Sequence, residues 1–382
     1  MKKRHLFGLF AMAAFACVSC SQDEVVSQSP DVNKAIEFGT YVGRDASSRG
    51  SVQNLTSLTA TDASGFGVFA YYTNTADGYS TSTSTPNFMY NQQVTGTATT
   101  TTTGTGGSAE TTTTYAWTYS PLKYWPTGTN DKLTFFAYAP YNCVTPATDL
   151  SANTAVGYPT LKFAVNETVK DQIDLLYAGE FETTLKNKTK TDDAVIFKFM
   201  HALSRIGFKV KASDDRTTAS NVVDNNTQIT VQSVEISFGE TYLASGTLDL
   251  GLGTWSHTDV TAADQTYTLS TENLKSVTAS STAAVLNEDD SYIMIIPQDI
   301  TAENITVKVV YTITTTDTNV AGGTTVMSNN ILTSDSFKFN FEKGKAYNFI
   351  LDLGLKTIKL SAEVDNWDTP EGKDKTDVSF GS

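Results

Sequence analysis

Cys20 is the residue whose chemistry is plainest. It stands at the end of a short apolar leader, behind Ser19 and ahead of Ser21-Gln22-Asp23-Glu24. A thiol at such a junction is a lipid acceptor: the leader is cut away and the new N-terminal cysteine carries acyl chains into a membrane. Residues 2–4 are basic and residues 6–18 are largely apolar, too short a stretch to span a bilayer as a mature helix. Cys17 also follows small residues and is the other candidate acceptor. Cys20 is preferred because a polar, acidic run begins directly after it.

Other reactive side chains are few and scattered. Beyond the leader the chain keeps His201, His257 and one thiol, Cys143. A hydrolase needs a nucleophile, a base and an orienting acid, and no spacing here supplies the three. His201 reads as a core or turn histidine, His257 as a surface one, and Cys143 as a bland or half-buried thiol with no base beside it. The acidic runs Asn287-Glu288-Asp289-Asp290 and Asp214-Asp215 lack the alternating ligands and central glycine of a calcium loop. Gly104-Thr105-Gly106-Gly107 has no following helix to hold a phosphate. No catalytic residue, metal ligand or cofactor is assigned. Trp117, Tyr119, Tyr124 and Trp125 form one aromatic cluster, which could stack on sugar rings if exposed but reads as core.

The elements that position these residues are strands. Ile305, Val307, Val309, Tyr311 and Ile313 fall on one face, with Thr306, Lys308 and Thr312 on the other. Phe337, Phe339 and Phe341 repeat the pattern, as do Tyr347, Phe349, Leu351, Leu353 and Leu355, then Ile358, Leu360, Ala362 and Val364. Period two means half-buried strands, and many short strands separated by turns mean a sandwich or barrel. Glu342-Lys343-Gly344-Lys345 reads as a tight turn. Residues 66–72 and 133–138 are near-continuous apolar runs, as in central strands covered on both faces. Residues 35–42 alternate around Ile36, Phe38 and Thr40. Residues 95–114, almost all Thr and Gly, read as a flexible loop open to glycosylation. The chain is therefore expected to be all-β.

Composition fits an exported, acidic surface protein. The 382 residues carry a net charge of −14; residues 1–19 hold three positive charges and no negative ones, so the chain from Cys20 onward carries −17. That balance argues against nucleic acid as a partner. One remaining cysteine leaves no intramolecular disulfide to form. The division expected is a signal peptide over 1–19, a linker over 20–33, an N-terminal sandwich over 34–188 and a C-terminal sandwich with its tail over 189–382. The boundary rests on the polar stretch 183–193.

Several pieces, in order, resemble the fimbrillin family, the pilus subunits and related lipoproteins of Bacteroidetes. They are Ile36-Glu37-Phe38 followed by Arg44 and Arg49; Trp117-Thr118-Tyr119-Ser120-Pro121-Leu122-Lys123-Tyr124-Trp125-Pro126; and Leu133-Thr134-Phe135-Phe136-Ala137-Tyr138-Ala139-Pro140. Asp174-Leu175-Leu176-Tyr177-Ala178, Phe197-Lys198-Phe199-Met200-His201-Ala202-Leu203-Ser204-Arg205, Tyr292-Ile293-Met294-Ile295-Ile296-Pro297-Gln298, Gly344-Lys345-Ala346-Tyr347 and Val364-Asp365-Asn366-Trp367 complete the set. Acidic residues just after Cys20 likewise resemble the surface-export signal of Bacteroidetes lipoproteins, which implies the outer face of the outer membrane.

The resemblance implies two tandem transthyretin-like Greek-key β-sandwiches and a subunit assembled by strand exchange. An arginine-specific protease would cut after Arg49, or after Arg44, and remove the strand that carries Ile36, Phe38 and Thr40. A neighbour's strand would fill the opened groove. The C-terminal piece with Val378 and Phe380 is a candidate donor, or else a frayed tail. Other pilin subunits, the outer membrane through the lipid anchor, and a host or bacterial surface receptor are the implied partners. The competing expectation is a stand-alone surface lipoprotein that binds glycan or a host ligand.

Overall fold

The computed structural model describes residues 34–42, 55–60, 63–103, 110–180, 182–191, 193–212, 226–258, 260–280, 282–289, 291–317, 319–354, 358–367 and 376–379. Within them the strands are β1 (Phe38–Val42), β2 (Phe66–Thr73), β3 (Met89–Thr103), β4 (Glu110–Thr118), β5 (Lys132–Ala139), β6 (Thr160–Ala164) and β7 (Leu176–Ala178). They continue with β8 (Val195–His201), β9 (Ser204–Ala212), β10 (Thr227–Phe238), β11 (Ser245–Asp249), β12 (Trp255–Ser256), β13 (Gln265–Leu269) and β14 (Ala284–Val285). The last are β15 (Ile293–Ile295), β16 (Gln298–Thr316), β17 (Thr324–Thr333), β18 (Phe337–Phe341), β19 (Lys345–Leu353), β20 (Ile358–Asn366) and β21 (Thr376–Ser379). Among the described residues helix is confined to single turns, so the all-β expectation holds.

Four sheets result. The first runs β1-β8-β7-β5-β2-β3-β4, and a small one runs β12-β11-β6. The other two are β13-β10-β16-β17, with β18 also on β16, and β14-β9-β19-β20-β21, with β15 also on β9. β2 and β5 are neighbours inside the first sheet, and almost every residue of both is buried, as the unbroken apolar runs require. Their alternate side chains feed two cores. Phe66, Val68, Leu133 and Phe135 join Phe197 and Phe199 in one, while Phe69, Tyr71, Phe136 and Tyr138 join Leu161, Phe163 and Leu248 in the other. That second core continues into the C-terminal sheets without a break.

The C-terminal sheets face each other through the rows read from sequence. Ile305, Val307, Val309, Tyr311 and Ile313 are all buried, opposite Phe349, Leu351 and Leu353. Phe337 and Phe349 meet at 5.9 Å between ring centroids, and Phe339 and Tyr347 at 5.1 Å. Gly344 has φ +67°, the left-handed conformation a tight turn asks of glycine. The turn is a corner rather than a hairpin: β18 lies in one sheet and β19 in the other.

Two pairings cross residue 188. β8 belongs to the first sheet, next to β1 and β7, and β6 pairs with β11. The polar stretch around 183–193 is tied to the first sheet by reciprocal bonds between Leu133 and Lys188, at 2.8 and 2.7 Å. The chain passes from the first sheet to the C-terminal ones at Ala202-Leu203, between β8 and β9.

Residues 95–103 and 110–114 overturn an expectation; 104–109 lie outside the described residues. They form part of a hairpin, with Thr95↔Thr118 through Thr103↔Glu110 in continuous antiparallel register. Threonine is β-branched and favours an extended backbone even without apolar neighbours. Thr100 and Thr113 meet hydroxyl to hydroxyl at 3.1 Å, and Thr102 and Thr111 at 3.3 Å.

Candidate functional site

β1 is the edge strand of the first sheet, and it lies parallel to β8 with Phe38 opposite Val195, Gly39 opposite Ile196, Thr40 opposite Phe197 and Val42 opposite Phe199. A sheet edge that pairs on one side only would be easy to lose. Here the residues just before β1 are gripped on the other side too. Ile36 N–H donates to Lys123 O at 2.8 Å, and Trp125 N–H to Lys34 O at 3.0 Å. The Tyr119 hydroxyl caps this clasp, donating to Ile36 O at 2.9 Å and lying 3.2 Å from Lys123 O. Burial raises the Tyr119 phenol above its ordinary pKa, so it stays a neutral donor.

The strand's inward side chains plug an aromatic groove. Ile36, Phe38 and Val42 are buried, while Glu37 and Tyr41 face solvent. The Phe38 ring sits 5.1 Å from Tyr119, 5.6 Å from Phe197 and 6.1 Å from Phe135. Trp125 closes the groove beyond Phe135, at 6.2 Å. Thr40 also faces in, and its hydroxyl is buried with no hydrogen-bond partner among the described residues. On the outer side the Ile196 side chain covers Gly39: its Cδ1 lies 2.6 Å from where a Cβ would be.

Of the aromatic cluster, Trp125 is fully buried, Trp117 and Tyr119 pack against the core, and only Tyr124 is largely exposed. The core reading therefore fits three of the four. The sequence motif around them was visible, but not the grip that Lys123, Tyr124 and Trp125 exert on residues 34–36. Nothing local encodes that contact, because its halves are some ninety residues apart.

The remaining reactive groups are structural. His201 is 2% exposed; its Nδ1 lies 3.0 Å from Asp174 Oδ1, and its ring stacks on Trp367 at 3.8 Å. No substrate could reach it. Arg205 lies over the other aromatic neighbours, 5.1 Å from the Trp367 centroid and 4.2 Å from Tyr292. This stack fastens the crossing from β8 to β9. His257 is half-buried and contacts Ser245 O. Burial pushes the Cys143 thiol up to about 12, which leaves it a poor nucleophile near neutral pH. Among the described residues no cluster of three or more His, Cys, Asp or Glu could hold a metal.

Cys17, Cys20, Arg44, Arg49 and Phe380 lie outside the described residues. Val378 falls in β21, which pairs antiparallel with β20 on the subunit's own C-terminal sheet, Val378 opposite Ala362.

These features define an all-β protein with an N-terminal strand clasped at a sheet edge, and comparison with known proteins gives its family. The chain belongs to the fimbrillin-like family, whose model matches residues 56–367. Fimbrium subunit Fim1C of Phocaeicola vulgatus is 27% identical over 389 residues, spanning 93% of this chain and 94% of that protein. The crystal structure of a fimbrial protein from Bacteroides vulgatus superimposes with a TM-score of 0.64 at 26% identity, covering 87% of this chain and 99% of that one.

Proposed function

We propose that this chain is a structural and adhesive subunit of a cell-surface fimbrium, exported as a lipoprotein through Cys20 and assembled by strand exchange. Cleavage after Arg49 or Arg44 frees residues 34–42 from the rest of the polypeptide. A strand from another subunit then takes the place of β1, and its alternate side chains fill the aromatic groove. The precursor sits at the outer membrane by its lipid, and the processed subunit in the fimbrium. The two-sandwich organisation belongs to the same reading.

The observation that carries the proposal is the placement of β1. It is an edge strand with buried Phe38 and Val42, led in by buried Ile36, and it precedes both arginines in the chain. Proteolysis at either arginine therefore separates this strand from β2 and everything after it in the sequence. The names of the relatives point to the same role.

The test is the N-terminus of the protein recovered from the surface of its native cells, by intact mass and terminal peptide sequencing. A start at Gly50 or Asp45 supports the exchange mechanism. Acylated Cys20 as the sole start means a subunit that stays tethered, and sinks the reading as a polymerising one.

A further inference from the structure

The small sheet β12-β11-β6 carries an open cleft on its outer face. Along β6, Leu161 and Phe163 turn into the core and leave Lys162 and Ala164 on the opposite side. Along β11, Leu248 turns in while Ser245 and Thr247 face out. The antiparallel register sets Lys162, Thr247 and Ser256 in one row across the three strands, with Ala164 and Ser245 in the next. Cys143 and Asp149 line the cleft from the segment that leads into β6, and Thr258 and Val260 line it from the segment after β12. The cleft measures about 570 Å³, within the roughly 300–1,000 Å³ of small-molecule sites.

Three kinds of hydrogen-bonding group converge there. Lys162 is a donor only, Asp149 an acceptor only, and Ser245 and Thr247 act as either. Among the described residues no ion pair or side-chain hydrogen bond occupies Lys162, Ser245 or Thr247. Asp149 is fixed by its own turn: Thr145 N–H donates to Oδ2 at 2.6 Å and the Thr148 hydroxyl to Oδ1 at 2.9 Å. Each carboxylate oxygen keeps a further lone pair for a ligand. On the far side the Ser256 and Thr258 hydroxyls pair at 2.9 Å, and His257 Nδ1 lies 2.9 Å from Ser245 O. One cation and one carboxylate leave the cleft without a charge preference of its own. The chain around it, with a net charge of −14, repels anions.

From this arrangement we infer that the cleft on the small sheet binds a neutral, hydroxyl-rich ligand, a mono- or disaccharide. Each hydroxyl of a sugar ring both donates and accepts. Lys162 supplies a donor, Asp149 an acceptor, and Ser245 and Thr247 take whichever role is left. A phosphate or carboxylate would gain Lys162 but face Asp149, and a hydrocarbon would leave all four groups without partners. The inference rests on the adhesive part of the proposed role, to which it adds the class of ligand, and on no part of strand exchange. Neither β1 nor its groove lines the cleft, so a tethered precursor and a polymerised subunit offer the same site.

The experiment is saturation-transfer NMR with calorimetric titration of the purified full chain. The neutral probes are methyl mannoside, methyl galactoside, N-acetylglucosamine, lactose and cellobiose; glucuronate and inorganic phosphate are the charged ones. At least one neutral sugar should bind saturably, with a dissociation constant of millimolar order. Lys162→Met should weaken that binding about tenfold, as for a hydrogen bond lost from a charged donor. Thr247→Val keeps the β-branched shape and should weaken it about threefold to tenfold. Lys170→Met, at an exposed lysine outside the cleft, should leave it unchanged. Unaltered thermal unfolding confirms that each variant is folded. Binding that survives both cleft substitutions overturns the location, and tighter binding of glucuronate or phosphate overturns the neutral class. No saturable binding by any neutral sugar overturns the site itself; native cells that still adhere through the protein would then leave the adhesive role standing. None of these outcomes bears on the N-terminus of the native protein, so strand exchange stands or falls on its own measurement.

Discussion

The two ends of the described chain form edge strands of nearly equal length, and they are held in opposite ways. The segment 34–42 is gripped on both flanks, by β8 along Phe38–Val42 and by the Lys123–Trp125 clasp on residues 34–36, and its Ile36, Phe38 and Val42 are buried. β21 pairs, among the described residues, with β20. The difference teaches what an edge strand adds to its own ladder when it is kept: a second flank of backbone bonds and a phenylalanine seated among aromatic rings make the N-terminal strand part of the core.

Truncating the buried ring gives the largest effect. Phe38→Ala should destabilise the uncleaved chain by about 3–5 kcal/mol, because it empties a pocket walled by three aromatic rings, Tyr119, Phe135 and Phe197, that cannot collapse onto one another. Tyr41→Ala, on the exposed face of the same strand, should change stability by less than about 0.5 kcal/mol. Denaturant unfolding followed by tryptophan fluorescence reads both, and equal effects would mean that β1 is kept by its backbone ladder and not by Phe38.

The clasp gives a smaller effect with a kinetic signature. Tyr119→Phe removes the donor to Ile36 O and should cost about 1 kcal/mol. Its larger consequence is expected after proteolysis, when β1 is held without a covalent link and should leave several-fold faster, as measured by release of a labelled N-terminal peptide. No change in release rate would place the hold on β1 entirely in Phe38 and β8.

The same hydroxyl predicts a pH dependence. Its folded pKa is raised, chiefly by burial, so the native state keeps the proton longer than the unfolded chain does. The stability it contributes is whole below the ordinary phenol pKa of about 10 and declines as pH climbs past it. Tyr267 and Tyr347, pushed up to about 12 by burial, act in the same direction in the C-terminal sheets. Wild type should therefore lose stability between about pH 10 and 12, and release of cleaved β1 should quicken over that range in wild type but not in Tyr119→Phe. Parallel profiles for the two proteins would remove Tyr119 from the account.

Much of this fold was legible because burial in a strand leaves a period of two. The rows Ile305 to Ile313 and Tyr347 to Leu353 needed only that rule, as did Ile36 and Phe38. Three features were hidden for physical reasons. The parallel partnership of β1 with β8 joins residues far apart in sequence, and no local pattern specifies it. The polar run near 188 reads as a boundary from its composition, and the bonds that tie it back to Leu133 join residues too far apart in sequence to leave a local signal. The threonine-rich hairpin reads as a loop because it has no apolar face, yet β-branching extends the backbone without one. In the candidate site, the strand residues were readable and the groove that receives them was not, since a pocket is assembled from β5, β8 and the Tyr119 segment only after folding.

That hairpin supplies the smallest effect and a third kind of edge. β4 is the free edge opposite β1 in the same sheet, with Thr111, Thr112, Thr113 and Thr114 exposed. That stretch has no plug like Phe38, so its rigidity comes from threonine itself and from hydroxyl pairs such as Thr100 with Thr113. Thr100→Ala should shift global stability by less than about 0.5 kcal/mol, with a coupling to Thr113→Ala of a few tenths at most in a double-mutant cycle. Amide exchange should nevertheless quicken along residues 97–103, because alanine gives up the β-branching that holds the ribbon extended. If exchange there is unaltered, the pairing is enforced from the base of the hairpin by Val94 and Trp117 rather than along its length. The two edges of the sheet would then obey one rule: the buried residues at the root decide whether the strand stays.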